Sequence, residues 1–297
     1  ETGLRQGGRF STTGAKLALQ VLNAPVRLLK RVLIGRNDKK LIDCEFADDE
    51  LLLGNDPDEA QEAATALSKA AAEQGYHINK KTQIRNFGTV PIKTYDVGGH
   101  LVKSNTEPMI YVGIWLQKNL GFSTHKKERT DKALKAIGWI NTTVAMNKNM
   151  GWKDEKELWF AKGWSTLIFG AEMDPWCKTH DCERTEHKWM RLALDIGPNA
   201  SGAAMYWLTG LLPATCRIWL RAISFFASIQ VKSPDNLERI CMENHWDMFI
   251  DFTNSGTYID VNAPRTPMIQ QIWVAGLYYM AKIWKWTEHN DFMSLRD

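Results

Sequence analysis

The pattern of apolar and polar positions along the chain changes near residue 122. Before that point, short apolar runs separated by turn residues predict strands over residues 84–90, 92–97 and 109–116. After that point, apolar residues recur at helical spacing in seven segments: residues 125–146, 153–169, 183–196, 203–212, 214–231, 237–252 and 268–286. The sequence therefore predicts an α+β fold, with a mixed first part and an all-helical second part.

The first part contains one strongly marked helix, which begins after Asp56. Asp56 can serve as the N-cap, Pro57 suits the first helical position, and Glu59 completes a capping box. Gly75 is suited to ending the helix, because glycine readily adopts the left-handed conformation found there. The face expected to pack on a sheet is lined mainly by small side chains: Ala60, Ala63, Ala64, Leu67, Ala70 and Ala71.

Two adjacent carboxylates interrupt the apolar runs ahead of this helix. Residues 39–46 and 50–53 are predicted to form a β-hairpin with Asp48 and Asp49 at its tip. Neighbouring carboxylates repel each other unless a cation lies between them, and Mg²⁺ binds carboxylate and phosphate oxygens together. An isolated Asp-Asp pair is more often a solvated acidic turn. The choice between these interpretations depends on the surrounding motifs.

Four motifs in the first part resemble those of reverse transcriptases and follow the order of that family. Residues 46–49 (Phe-Ala-Asp-Asp) are similar to the catalytic hairpin, and residues 3–7 (Gly-Leu-Arg-Gln-Gly) resemble the Gln-Gly motif. Residues 75–79 (Gly-Tyr-His-Ile-Asn), followed by Lys81, resemble the motif whose lysine lies near the triphosphate. Residues 111–113 (Tyr-Val-Gly) are similar to the primer grip. The ordered set is more specific than any one motif.

This resemblance implies a role for each matching residue. Asp48 and Asp49 would be the catalytic residues and the ligands of Mg²⁺, for which Mn²⁺ could substitute. The nucleotide-binding residues would be Arg5, Gln6, Gly7 and Lys81, and the primer grip would be Tyr111, Val112 and Gly113. For the two cations, a solvated surface position is the alternative, and Tyr111 could equally be a core aromatic residue.

The helical part resembles the thumb region of non-LTR retrotransposon polymerases. The matching segments are residues 168–172 (Ile-Phe-Gly-Ala-Glu), residues 191–194 (Arg-Leu-Ala-Leu) and residues 210–213 (Gly-Leu-Leu-Pro), with Arg217 and Arg221. The resemblance divides the chain into a partial palm (residues 1–122), a helical thumb with the connection that follows it (residues 123–230), and a helical segment of unknown role (residues 231–297). The palm would be an antiparallel sheet that carries the Asp-Asp hairpin, with helices on one face.

The activity implied is that of an RNA-directed DNA polymerase, a nucleotidyltransferase that extends a DNA primer with dNTPs on an RNA template. The family's first catalytic aspartate precedes the Gln-Gly motif, and the chain begins after that position, so we expect this fragment alone to be inactive. Gly8 and Arg9 depart from the family pattern, and the segment from Asn79 to Thr82 is one residue shorter than usual. Two alternatives stay open: a nucleic-acid-binding remnant without catalysis, and a structural helical interaction protein.

Composition and charge change this picture little. The net charge of +3 over 297 residues permits a nucleic-acid partner without arguing for one. Five cysteines do not resemble a disulfide framework, and no apolar stretch approaches the length of a membrane helix. We therefore expect an intracellular protein without a membrane partner. The resemblance to retrotransposon polymerases implies a location in nucleus and cytoplasm as part of a retroelement ribonucleoprotein.

Three further features have competing interpretations. Cys177, His180, Cys182 and His187 are possible zinc ligands, but their spacing is not typical of structural zinc sites. The basic residues between positions 126 and 135 could contact phosphate or could form a solvated helix face. Thirteen tryptophans are present, and helix packing is more common for such residues than base stacking. Those predicted to lie in the core include Trp159, Trp164, Trp189, Trp207 and Trp219.

Overall fold

In the computed structural model, the chain forms two compact units, Glu1–Gly121 and Phe122–Asp297. The structure describes residues 20, 22–29, 32–34, 39–41, 43–46, 49–87, 89–119, 121–147, 149–173, 179–255, 273–283, 285 and 288–296. Over these residues the first unit combines a helix with antiparallel strands, and the second unit is helical. The general α+β class is therefore confirmed. The division into a polymerase palm and thumb stays a prediction.

The strands of the first unit pair as local hairpins. They are β1 (Val32–Ile34), β2 (Lys39–Leu41), β3 (Asp43–Phe46), β4 (Asp49–Leu52), β5 (Thr94–Val97), β6 (His100–Lys103), β7 (Met109–Tyr111) and β8 (Ile114–Leu116). In the described part of the chain, each strand is hydrogen-bonded to its sequence neighbour in a two-stranded antiparallel ladder: β1–β2, β3–β4, β5–β6 and β7–β8. One continuous palm sheet is thus not observed among these strands, and it stays a prediction.

Helix α1 (Pro57–Glu73) begins where the sequence predicts. One carboxylate oxygen of Asp56 accepts the backbone N–H groups of Asp58 and Glu59, both at 2.9 Å. The Glu59 carboxylate accepts the N–H of Asn55 at 3.0 Å, one position earlier than a standard capping box requires. Gly75 follows the helix with φ of +75°, the left-handed conformation expected at this end.

The alanine face of α1 packs in two directions. Ala63 contacts Val26 in a short 3-10 turn (Val26–Leu28), whereas Ala64 contacts Tyr95 and Val97 on β5. The small alanine side chains allow this close approach, as the sequence predicts. The helix therefore links an early turn of the first unit with a hairpin located some seventy positions later in the chain.

Residues 84–90 do not form the predicted strand. Apart from a single bridge between Arg85 and Asn105, this segment is irregular wherever it is described. The buried Asn86 side chain donates hydrogen bonds to the Pro91 carbonyl at 2.8 Å and to the Ser104 hydroxyl at 3.1 Å. Because this amide satisfies a loop carbonyl, the backbone turns instead of continuing in a ladder. Apolar periodicity does not reveal such a buried amide.

The second unit contains eight helices over the described residues. They are α2 (Ser123–Met146), α3 (Trp152–Leu158), α4 (Thr179–Ala193), α5 (Gly202–Thr209), α6 (Ala214–Gln230), α7 (Leu237–Asn254), α8 (Trp273–Ile283) and α9 (His289–Ser294). Helix α3 continues through a π-helical segment (Trp159–Trp164) into a short α-helical turn (Ser165–Leu167). Each of the seven helical segments predicted from periodicity overlaps a helix among the described residues. Within the described ranges, none of the helices has the length and apolar character needed to cross a membrane.

Stacked tryptophans form the centre of the core between α2 and α6. The Trp189 ring lies between Trp159, at a centroid distance of 4.9 Å, and Trp152, at 5.4 Å. Trp159, Trp164 and Trp189 are buried, and Trp219 is partly buried, as the sequence predicts. Each stacked pair adds to the free energy released by burying its apolar surface.

The prediction of a core position is wrong for Trp207, whose side chain is 82% exposed. Helix α5 is short and buries its other side through Met205 and Tyr206. Because Trp207 follows Tyr206 directly, it points about 100° away from that residue and into solvent. Leu208 and Leu212 beside it are also more than half exposed. Because α5 is largely apolar, its sequence does not show which of its side chains face solvent.

A fully buried carboxylate joins four helical elements of the second unit. Glu186 on α4 accepts the indole N–H of Trp159 at 3.3 Å and the hydroxyl of Tyr206 at 3.1 Å. It also forms an ion pair with Arg217 on α6. The Arg217 guanidinium in turn lies 3.7 Å from the centre of the Trp164 ring. Such a charge is tolerated only when it is paired and hydrogen-bonded, as it is here.

A second core lies among α6, α7, α8 and α9. The aromatic rings of Trp246, Phe249, Tyr278 and Phe292 contact one another at centroid distances between 5.2 and 6.1 Å. The Nδ1 atom of His245 accepts the backbone N–H of Trp273 at 2.8 Å, at the first described residue of α8. This hydrogen bond joins α7 to α8.

Replacing Gly163 by alanine is expected to lower the free energy of unfolding of the second unit by about 1–3 kcal/mol. A Cβ at this position would lie 2.1 Å from Cε3 of the fully buried Trp159 ring. The measurement is urea unfolding followed by tryptophan fluorescence, since twelve of the thirteen tryptophans lie after residue 121.

Gly138→Ala is the matched control, because nothing lies within 4 Å of its added Cβ in helix α2. It should raise the free energy of unfolding by about 0.5–1 kcal/mol. Equal effects of the two substitutions would show that the Gly163–Trp159 contact is unimportant.

The second unit is expected to lose stability in mild acid because of His245. Burial lowers the pKa of His245, so the unfolded chain takes up a proton at a higher pH than the folded chain. The stabilisation is complete above about pH 6.5 and decreases as the pH falls from there towards the lowered pKa. Urea unfolding at about pH 7.5 and about pH 5 measures this loss.

His245→Asn should reduce the acid-induced loss, because the asparagine oxygen can accept the Trp273 N–H without titrating. His125 retains its own contribution in this variant, since burial also lowers the pKa of His125. An unchanged dependence of stability on pH in His245→Asn would contradict this account.

Candidate active site

The hairpin that carries the predicted catalytic pair is present. Strand β3 pairs with β4 in a register that sets Phe46 opposite Asp49 and Cys44 opposite Leu51. Asp49 is therefore the first residue of β4, directly after the turn. Asp48 lies outside the described residues, and only the backbone of Asp49 is described. The structure thus confirms a hairpin over residues 43–46 and 49–52. It pairs residues 39–41 with β1 instead, and it places Asp49 in a strand rather than at the tip. The roles of the two carboxylates stay predictions.

The predicted primer grip is also a hairpin, formed by β7 and β8. Tyr111 pairs with Ile114, which leaves Val112 and Gly113 as a two-residue turn. Both turn residues have positive φ, +48° at Val112 and +79° at Gly113, as in the type I′ turn favoured between antiparallel strands. A β-branched residue seldom adopts this conformation, which costs about 1–3 kcal/mol. Such strain is often found at functional positions.

A hydrogen bond joins these two hairpins. The Tyr111 hydroxyl donates to the backbone carbonyl of Cys44 at 2.7 Å, across 67 positions of sequence. Cys44 lies two residues before Phe46, which is about 7 Å along the strand, and Phe46 is paired with Asp49. Tyr111 is therefore partly buried, and its hydroxyl also makes a specific contact with the other hairpin. It attaches the predicted primer grip to the strand that leads into the predicted catalytic turn.

Lys81 lies on a structured turn after α1. The Asn79 side-chain oxygen accepts the backbone N–H of Lys81 at 2.9 Å, and the Asn79 carbonyl accepts the N–H of Thr82 at 2.9 Å. The Lys81 side chain is exposed, and no described carboxylate forms an ion pair with it. No hydrogen bond among the described residues joins Lys81 to either hairpin. The structure therefore leaves the predicted nucleotide contact of Lys81 untested.

The remaining predicted ligands are described only in part. Arg5, Gln6 and Gly7 lie outside the described residues. Over the residues that the structure does describe, no three His, Cys, Asp or Glu side chains are placed to hold a metal ion.

The possible zinc ligands are likewise incompletely described. Cys177 and the side chain of His180 are outside the described set. Cys182 is buried within the apolar core, whereas the His187 ring packs against Tyr206 at a centroid distance of 5.2 Å. These two side chains thus have packing neighbours in the helical unit.

The basic segment of α2 separates into two groups. Lys126 forms an ion pair with Asp181 at 2.8 Å, and the Arg129 guanidinium lies 4.3 Å from the centre of the Phe169 ring. Burial lowers the pKa of Arg129. Lys132 and Lys135 are exposed instead. Part of the predicted phosphate-binding cluster therefore has packing partners, and the rest faces solvent.

Tyr111→Phe is expected to loosen the contact between the two hairpins. Loss of one hydrogen bond removes about 1 kcal/mol, which corresponds to about fivefold faster opening. Hydrogen–deuterium exchange of residues 43–46 measures this change.

Tyr76→Phe is the control, because the Tyr76 side chain is half exposed and has no hydrogen bond in the described structure. That variant should exchange like the unmodified protein. Equal exchange of the Tyr111→Phe variant would mean that the hydroxyl does not hold the hairpins together.

The chain was compared with protein-family models, curated proteins and solved structures, and none of them matches it. Any statement about function therefore depends on the motifs themselves and on the contacts between them. The most informative of these contacts is the hydrogen bond between the hairpin of Tyr111 and the hairpin of Asp49. No family membership is established by these comparisons.

Proposed function

We propose that the chain is part of the RNA-directed DNA polymerase of a non-LTR retrotransposon. The residues before position 122 would supply most of the palm, and residues 123–230 would supply the thumb and the connection after it. The substrates would be an RNA template, a DNA primer and dNTPs. The ordered motifs support this proposal, since each of the four resembles a different part of one polymerase site.

The observation that carries the proposal is the hydrogen bond from Tyr111 to the Cys44 carbonyl. A polymerase needs the primer end beside the residues that bind the metal, because reacting atoms must come within about 3–3.5 Å. The primer-grip motif and the Asp-Asp motif are far apart in sequence, yet their hairpins are in direct contact.

The chemistry of the Asp-Asp pair fits the metal that the resemblance implies. Two carboxylates next to one turn are hard oxygen donors, the kind of ligand that Mg²⁺ takes. Asp48 would be the direct ligand, while Asp49 would share the ion or orient the site. Bound Mg²⁺ would activate the primer hydroxyl and stabilise the pyrophosphate that leaves.

The chain's other motif residues would then act by positioning and by charge. Gly7 would allow the backbone to approach the nucleotide closely, and Gln6 would contact it through the side-chain amide. Arg5 and Lys81 would balance the charge of the triphosphate, Arg5 through paired N–H donors and Lys81 through a single ammonium. The Tyr111 hairpin would hold the primer strand beside the catalytic turn.

A second candidate is a nucleic-acid-binding protein without catalysis. The exposed lysines of α2 favour it, because they offer phosphate contacts that are independent of the Asp-Asp hairpin. The two candidates differ in one respect only, namely whether the carboxylates of the turn are needed for an observable activity.

Asp48→Ala is expected to abolish Mg²⁺-dependent primer extension on an RNA template while leaving template binding unchanged. The experiment uses the full-length protein that contains this chain, because the resemblance assigns another catalytic aspartate to a position before Gln6. Loss of one direct metal ligand should lower the rate at least about 1,000-fold, comparable to other residues that stabilise the transition state.

Glu62→Ala is the control for loss of a carboxylate, since Glu62 is exposed on α1 and far in sequence from every motif. It should extend the primer at the unmodified rate. Extension that survives Asp48→Ala would refute the polymerase assignment, and absence of extension in the unmodified full-length protein, with template binding intact, would favour the second candidate.

A further inference from the structure

One face of α2 carries a row of exposed side chains that the fold does not use. Lys132, Lys135 and Trp139 lie within about 60° of one another around the helix. The lysines are exposed, and Trp139 is 44% exposed. The packing face of the same helix is formed by buried apolar residues, among them Ala133, Ile137 and Ile140. The row therefore contributes little to the core.

A fourth residue joins this row from the π-helical segment of α3. The Lys162 ammonium lies 3.7 Å from the centre of the Trp139 ring, a cation–π contact. This contact holds the charge of Lys162 beside the row formed by α2. We call Lys132, Lys135, Trp139 and Lys162 the α2 strip.

The lysines of the α2 strip form no ion pair within the described structure. Glu128 and Asp131 stand four positions before Lys132 and Lys135 on the same helix. No described carboxylate lies within 4.0 Å of the ammonium group of Lys132, Lys135 or Lys162. Lys126 at the start of the same helix differs, since it is paired with Asp181. Like charges three positions apart cost a few tenths of a kcal/mol in a helix.

We infer that the α2 strip binds single-stranded nucleic acid. The three lysines would contact successive phosphates, and Trp139 would stack against an unpaired base. The strip extends over about 10 Å between Lys132 and Trp139, the length of about three nucleotides in a stacked strand. The inference rests on the proposed function only for the identity of the strand, which would then be the RNA template. Binding itself does not depend on catalysis.

The shape and chemistry of the strip favour a single strand over other polyanions. A duplex keeps its bases inside, so Trp139 would have no base to stack on, and only the lysines would contribute. A membrane-binding helix would need a wide apolar face, whereas here the single large ring is surrounded by lysines. An acidic peptide would satisfy the charges but would not require the aromatic ring.

The test is binding of an oligouridine to the full chain, measured by fluorescence anisotropy at several salt concentrations. Removing two lysines with Lys132→Gln and Lys135→Gln together should reduce the slope of log affinity against log salt by about 1.4. Trp139→Leu should weaken binding about tenfold and lower the slope by at most about 0.7, because it also releases Lys162. Lys188→Gln is the matched control, because Lys188 is an exposed lysine of the same unit, on α4.

Three results would overturn the inference. The first is a salt slope that is unchanged by the double lysine substitution, or that the single Lys188→Gln substitution lowers by about 0.7, half of the change expected for the two strip lysines. The second is binding that is insensitive to Trp139→Leu, which would indicate charge alone. The third is tighter binding of a duplex or of polyglutamate than of oligouridine. The variants are compared by urea unfolding first, and since all three α2 side chains are exposed, each should unfold like the unmodified protein.

The outcome is separable from that of the polymerase proposal. Asp48→Ala should leave oligouridine binding intact, since Asp48 belongs to the other unit. Failure of primer extension with strip binding preserved would contradict the polymerase proposal alone. Extension that proceeds with an unaltered salt slope in the strip variants would contradict this inference alone.

Discussion

The helical unit depends on one buried charge. Glu186 has no exposed surface. Its carboxylate accepts hydrogen bonds from Trp159 and Tyr206 and pairs with Arg217, and these partners lie on three other helical elements. Removing Arg217 would leave the buried carboxylate without its counter-charge, and breaking such a pair costs about 3–5 kcal/mol. The network therefore fixes which helices meet and in which register.

The same network accounts for the unusual course of α3. A π-helical segment runs from Trp159 to Trp164, and single turns of this kind shift the side chains that follow. Trp159 faces Glu186 and the stacked Trp189, whereas Trp164 lies beneath the Arg217 guanidinium. Lys162 in this segment consequently faces Trp139 on α2. The packing of the core thus determines where the Lys162 ammonium lies on the surface.

Sequence patterns predict the helices of this protein better than its strands, since residues 84–90 are irregular and residues 109–116 form a hairpin instead of one strand. The helices after residue 122 lie close to their predicted positions, with small shifts at their ends. The spacing of apolar residues indicates which face of each helix packs, and the intervening Pro and Gly residues indicate where each helix ends. The start of α1 follows from Asp56 and Pro57, whose effects are local. The β3–β4 hairpin is also predicted, since two short apolar runs flank one polar turn.

Interactions between distant residues are what the sequence does not reveal. Nothing in residues 84–90 indicates that Asn86 is buried against Ser104. Exposure of Trp207 depends on which side of α5 finds a partner, and the helix is apolar on several sides. Likewise, neither the contact of Lys162 with Trp139 nor the hydrogen bond of Tyr111 follows from spacing. Only the fold brings these groups together.

The central claim is that the Asp-Asp hairpin and the Tyr111 hairpin form one metal-dependent site. Fe²⁺ is substituted for Mg²⁺ in the full-length protein, and hydrogen peroxide is added with ascorbate. The bound Fe²⁺ reduces the peroxide to hydroxide and a hydroxyl radical, which cuts the backbone near the ion, and ascorbate returns Fe³⁺ to Fe²⁺. The account predicts cuts within residues 43–52 and near residues 109–116, suppressed by excess Mg²⁺ and lost in Asp48→Asn. Cleavage confined to other segments, or cleavage unchanged by Asp48→Asn, would contradict it.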